Sequence, residues 1–178
     1  SETSVVRART FNSEGKASRI NKGDFRKITP KDPIKVKNPK KGLSFEYYEK
    51  SVELLPDFKN LEPKKRGSAS HFELNEVIER DDMFLVVFEG YINIETAGTY
   101  TFYTESDDGS KLYIHGETIV DNDGSHGMRE RAGQIILKKG LHPIRVEMFD
   151  NTGDEGLVVK YEGPDSSKKT ISSKVLSH

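Results

Sequence analysis

The chain has 178 residues, 33% hydrophobic and 32% charged, with 28 Lys plus Arg against 29 Asp plus Glu. A net charge of −1 offers no general attraction to nucleic acid or to an anionic membrane surface. The absence of cysteine excludes a disulfide framework and thiolate metal sites, and no apolar run approaches the roughly 18 residues that span a bilayer.

Ser1 to Ser4 carries no signal-peptide pattern, so the chain is expected to be an internal or C-terminal piece of a longer precursor. Val5 to Phe11 alternates as a strand does, Asn12 to Gly15 is a turn signal, and Lys16 to Ile20 is the expected return strand. Residues 1–27 therefore read as a β remnant. Residues 28–41 hold Pro30, Pro33 and Pro39 among lysines, a composition that blocks ladder bonding and predicts an extended linker. Interleaved aromatics that would stack bases are missing, so a nucleic-acid tail is the poorer reading.

From Gly42 to the end the pattern is β. Strands are predicted over 43–49, 83–93, 100–105, 110–114, 117–121, 131–137, 141–149 and 157–162, with Leu54 to Ala69 irregular. Many short strands with turns between them, and no long helical period, predict an all-β, antiparallel two-sheet sandwich over 42–178. Tyr100, Phe102, Leu112, Ile114, Ile144, Val146, Leu157 and Val159 are its predicted inward side chains.

Asp107-Asp108-Gly109 lies between two of these strands. Successive side chains of an extended chain face opposite ways. Both carboxylates can serve one site only if the backbone kinks between them, which makes the pair a candidate oxygen cage for a hard cation. The plainer alternative is a turn, since Asp and Gly favour turns. The acidic loops at Asp121 and Asp150 both fail the EF-hand spacing. Asp154-Glu155 has no flanking catalytic motif, and the chain is too short and too β-rich for the roughly 250-residue barrel such chemistry uses. The five histidines show no metal spacing.

Five pieces in order carry a family resemblance: Leu43 to Tyr48, Phe88-Glu89-Gly90-Tyr91-Ile92, Ala97 to Phe102, Ser106-Asp107-Asp108-Gly109-Ser110, and Lys139 to Val146. Together they resemble the protective-antigen-type β-sandwich module, the PA-fourteen domain, a non-catalytic part of bacterial glycosidases, toxins and adhesins. Val5 to Ser18 resembles the closing strands of the fibronectin-like domain that follows the barrel of bacterial β-hexosaminidases and chitobiases. That second resemblance implies a family-twenty glycoside hydrolase as the parent, exported to the periplasm or cell surface.

The module resemblance implies a calcium site. In the family's sugar-binding adhesins the Asp-Asp pair is joined by a cis peptide and holds calcium with an asparagine from a later loop, while sugar hydroxyls bind the same ion. The matching residues are Asp107, Asp108 and Asn151, and His115 is expected on the same loop face as a carbohydrate contact. The function expected is non-catalytic carbohydrate binding, with a glycan, one containing N-acetylglucosamine, and the parent's catalytic domain as partners. The competing expectation is a structural module that packs against its parent and binds nothing.

Overall fold

The computed structural model describes residues 3–26 and 29–178. The expected boundary between the first two segments, at residues 27 and 28, lies outside the described residues. Strands β1 (Thr3–Ala8) and β2 (Asn21–Arg26) pair antiparallel as a hairpin. The return strand begins at Asn21 rather than at Lys16. The intervening turn is closed by Asn12, whose Oδ1 accepts the amides of Glu14 and Lys16, and an isolated Phe11–Ala17 bridge and the Ser18 amide, which donates to the Thr10 carbonyl at 2.8 Å, hold its two sides together.

The sandwich has a larger sheet of β3 (Leu43–Glu49), β4 (Lys65–Ala69), β5 (Phe84–Ile94), β7 (Ser110–Ile114), β8 (Glu117–Asn122), β10 (Gly140–Asp150) and β13 (Leu176–Ser177). Their order is β4-β3-β5-β10-β7-β8, with β13 added beside β5. The smaller sheet runs β12 (Ser166–Thr170), β11 (Gly156–Gly163), β6 (Gly98–Asp107), β9 (Arg129–Leu137). All pairings are antiparallel. Among the described residues no helix is long and apolar enough to cross a membrane.

Period-two alternation builds the core. Tyr100 and Phe102 of β6, Leu112 and Ile114 of β7, Ile144 and Val146 of β10 and Val159 of β11 are buried between the sheets, and Leu157 packs half-buried at the margin. The run Phe84-Leu85-Val86-Val87-Phe88 has no polar alternation because β5 is covered on both faces. Its even-numbered members face the main core. Leu85 and Val87 face outward under the segment after β3, with Tyr48, Phe58 and Phe149. The stretch read as irregular thus roofs the outer face of the larger sheet, and its last residues form edge strand β4. Lys65-Arg66-Gly67 hides that strand from pattern reading, because edges carry charge in place of alternation.

The proline-rich segment is not free chain once past Lys31. The Lys31 amide donates to the Ile136 carbonyl at 2.9 Å, and Ile34 donates to Leu141 at 2.8 Å. Lys40 and His178 exchange backbone bonds at 2.7 and 2.8 Å. Proline lacks an amide hydrogen, but Pro30, Pro33 and Pro39 alternate with residues that have one, and those residues make the bonds.

Candidate metal and ligand site

The inner face of β6 reads Tyr100, Phe102, Thr104, Ser106, passing from aromatic to polar along one strand. Thr104, Ser106, Ser110 and Asn122 are all fully buried at this end of the sandwich. Ser110 Oγ donates to Thr104 Oγ1 at 3.0 Å and lies 2.7 Å from Ser106 Oγ. Asn122 Nδ2 donates to Ser106 Oγ at 3.1 Å and to the Arg129 carbonyl at 2.9 Å, while Arg129 Nε donates to Asn122 Oδ1 at 2.8 Å. This saturated network forms a rigid polar floor, since buried polar groups hold their positions when every partner is present.

On that floor three carboxylates meet. One oxygen each from Asp107, Asp108 and Asp150 lies within 4.8 Å of the others. The Asp107–Asp108 peptide is cis. Asp108 is 6% exposed. Its Oδ1 accepts the His126 amide at 2.8 Å and its Oδ2 accepts the Asn151 amide at 3.0 Å. Gly109 has to be glycine: a Cβ there would stand 2.9 Å from the backbone N and O of Gly124 and 2.5 Å from the Phe149 ring. The close approach brings the loop after β8 against the loop after β6. Asp123 ties the same loop down, accepting the Leu55 amide at 3.0 Å and Lys111 Nζ at 2.6 Å.

Asp150 is fully buried, and neither of its carboxylate oxygens has a hydrogen-bond partner. Burial, and then the charges of Asp108, Asp82, Asp107 and Glu155, push its carboxyl up to about 7. Burial and the charge of Asp108 also raise Asp107, against a backbone hydrogen bond from Met128. An isolated buried carboxylate is costly and takes up a proton or a cation. An all-oxygen donor set with three carboxylates suits a hard cation, calcium above all. The residues present therefore fit the ion that the Asp-Asp motif implies.

Of the four expected site residues, the structure brings two together. Asp107 and Asp108 converge, but the side chain of Asn151 points away from them. Asn151 Oδ1 accepts from Ser51 Oγ at 2.9 Å and from the Val52 amide at 3.2 Å, and Nδ2 donates to the Val52 carbonyl at 2.6 Å. Its backbone amide, not its side chain, serves the site. The third carboxylate is its neighbour Asp150, which sequence reading passed over. The signal was present: Ile144, Val146, Met148 and Asp150 share one face of β10 by simple alternation, which turns Asn151 to the other.

His115 also leaves the site. It occupies the turn at the far end of β7, about 16 Å of extended chain from Ser110. There its Nε2 lies 2.8 Å from Nδ1 of the buried His142, whose Nε2 donates to the Lys138 carbonyl at 2.8 Å. The histidine that does border the carboxylates is His126, through its backbone amide.

A family profile described as the PA14 domain matches residues 39–174. Among curated proteins, the anti-sigma-I factor RsgI3 of Acetivibrio thermocellus is 28% identical over 96 residues, covering 53% of this chain and 15% of that protein. Among solved structures, the PA14 domain of the MpAFP antifreeze protein superposes with a TM-score of 0.66 at 20% identity, covering 83% of this chain and 95% of that one. A PA14 sugar-binding domain from an RTX adhesin gives 0.64 at 20% identity, covering 78% and 99%. These likenesses show the fold. These three are named as an anti-sigma factor, an antifreeze protein and an adhesin, and none is named as a hexosaminidase.

Proposed function

We propose that this chain, which belongs to the PA14 domain family, is a non-catalytic carbohydrate-binding module whose ligand is held at a calcium site formed by Asp107, Asp108 and Asp150. The observation that carries the reading is the meeting of three carboxylates within 4.8 Å around a buried Asp150 that no hydrogen bond satisfies. A related domain from an RTX adhesin is described as sugar-binding. A bound calcium ion would supply coordination positions that the protein leaves open, to which sugar hydroxyls bind.

The chain's own residues do the rest. Asp108 is oriented by two backbone amides, Gly109 lets the loops close, and the Thr104–Ser106–Ser110–Asn122 floor keeps water from loosening the carboxylates from beneath. Such a site suits calcium-rich surroundings outside the cell, where the EF-hand loops of extracellular proteins bind calcium with constants of about 10⁻⁴–10⁻³ M. A hexosaminidase parent rests on residues 5–18 alone, and the proposal does not depend on it.

The test is a glycan microarray probed with the fluorescently tagged chain in millimolar calcium and again in chelator. Spots that light in calcium and vanish in chelator, and that Asp108→Ala abolishes, support the reading. An array that stays dark in calcium, or spots indifferent to chelator, overturns it.

A further inference from the structure

Large apolar side chains are rarely left strongly exposed in isolation from function when they gather in one place. Within the sandwich the large hydrophobic residues that stand out are Leu54, at 61% exposure, Met83, at 43%, and Met128, at 51%. All three lie on loops at the carboxylate end, each tied to a different wall of the site.

Met128 follows Gly127, where a Cβ would stand 3.9 Å from Asp107 Oδ2. Its methyl lies over Gly156, where a Cβ would meet Met128 Cε at 2.2 Å, and Gly156 is the strand partner of Asp107. Leu54 approaches Gly124, with its Cδ2 4.0 Å from where a Cβ would stand. Gly124 is the residue packed against Gly109. Met83 donates its amide to the Asn151 carbonyl at 3.0 Å, and Asn151 in turn donates to Asp108. The side chains of Met128 and Leu54 thus lie against glycines that pack on the carboxylate loops, and exposed Met83 is tied to the same loops through its backbone.

Aromatic platforms are missing from this border. The chain has no tryptophan, and the phenylalanines that flank Asp150, Phe149 before it in the chain and Phe84 opposite it in the ladder, are both fully buried. A sugar ring cannot be stacked here in the usual way. What the rim offers is a set of flexible apolar ends that mould around a small group, the behaviour typical of methionine. A ligand that matches both features has hydroxyls on one side and a methyl on the other.

Building on the calcium-dependent sugar site described above, we propose that Leu54, Met83 and Met128 select a sugar residue carrying a methyl group, either a 6-deoxyhexose or an N-acetylhexosamine. The methyl sits on the rim while the hydroxyls face the carboxylate cluster. The two sugar classes present the same methyl from different positions on the ring.

Calorimetric titration of the full chain in saturating calcium with matched pairs tests this. L-rhamnose against L-mannose and L-fucose against L-galactose differ only at carbon six. N-acetylglucosamine against glucose and N-acetylgalactosamine against galactose differ only at carbon two. In at least one pair the methyl-bearing sugar is expected to bind about fourfold tighter, since burying one methyl is worth about 0.8 kcal/mol and 1.4 kcal/mol is tenfold.

Which type of pair discriminates identifies the class. The double variant Leu54→Asn, Met128→Gln is expected to lose the discrimination while keeping its calcium-induced rise in melting temperature. Equal binding within every pair overturns the rim's role and leaves the sugar site standing. Binding of none of the sugars, with calcium still bound, overturns both.

Discussion

Asp150→Asn is expected to raise the melting temperature of the calcium-free protein at pH 8 and to abolish the protein's stabilisation by calcium. The two halves have one cause. At pH 8 the wild-type carboxyl, pushed up to about 7, is largely ionised, fully buried and unpaired. Asparagine has nearly the same shape and no charge. It removes the repulsion from Asp107 and Asp108, although its amide inherits a position without partners.

The expected gain is on the order of 3 kcal/mol, or roughly 6–12 °C for a domain of this size. The same change removes one of the three carboxylates proposed as ligands, and with it the calcium response. A stabilising substitution that destroys a ligand response is the mark of a site held under tension for function. Scanning calorimetry in chelator and in calcium checks both halves. A lower melting temperature in chelator, or a full calcium response in the variant, would contradict Asp150's place in the site.

Calcium is also expected to change how stability depends on pH. In chelator, Asp150 binds a proton more tightly folded than unfolded, because its folded value near 7 exceeds the ordinary 3.8. Its contribution is therefore fully present below about pH 4, declines as pH rises, and is wholly lost above about pH 7. At about 1.4 kcal/mol per pH unit the loss is on the order of 4 kcal/mol. Asp107, also raised, adds to it in the same direction. With saturating calcium the carboxylates are held ionised at lower pH, and ligation stabilises only the folded state. The decline between about pH 4 and 7 is then expected to disappear. Urea unfolding curves at several pH values, with and without calcium, measure this, and curves that remain parallel would contradict it.

Much of this was legible in the chain. The alternation in Gly98 to Asp107 and in Ser110 to Ile114 yields strands and the buried Tyr100, Phe102, Leu112 and Ile114 without any tertiary information. The acidic pair stands out because extended chain cannot aim both side chains at one site.

The residues that were missed fall into two kinds. Lys65–Ala69 and Ser166–Thr170 are sheet edges, where charge and small residues erase the period. Asp150 and Asn151 are distinguishable by counting from Val146, since alternation along β10 keeps Asp150 on the core face, but a polar loop follows directly and masks the period. His115 was misplaced for a topological reason. β7 is only five residues long, so the turn after it looks close in sequence to the acidic loop while lying at the opposite end of the sandwich.

The central claim is that Asp107, Asp108 and Asp150 together hold one calcium ion. Isothermal titration of calcium into the chelator-stripped chain at pH 8 tests it most directly. The account predicts a single saturable site with a stoichiometry of about one, lost in Asp108→Ala and in Asp150→Asn, and unchanged in Asp165→Ala on the distant turn between β11 and β12. The absence of binding heat, with no shift of melting temperature in calcium, would contradict it.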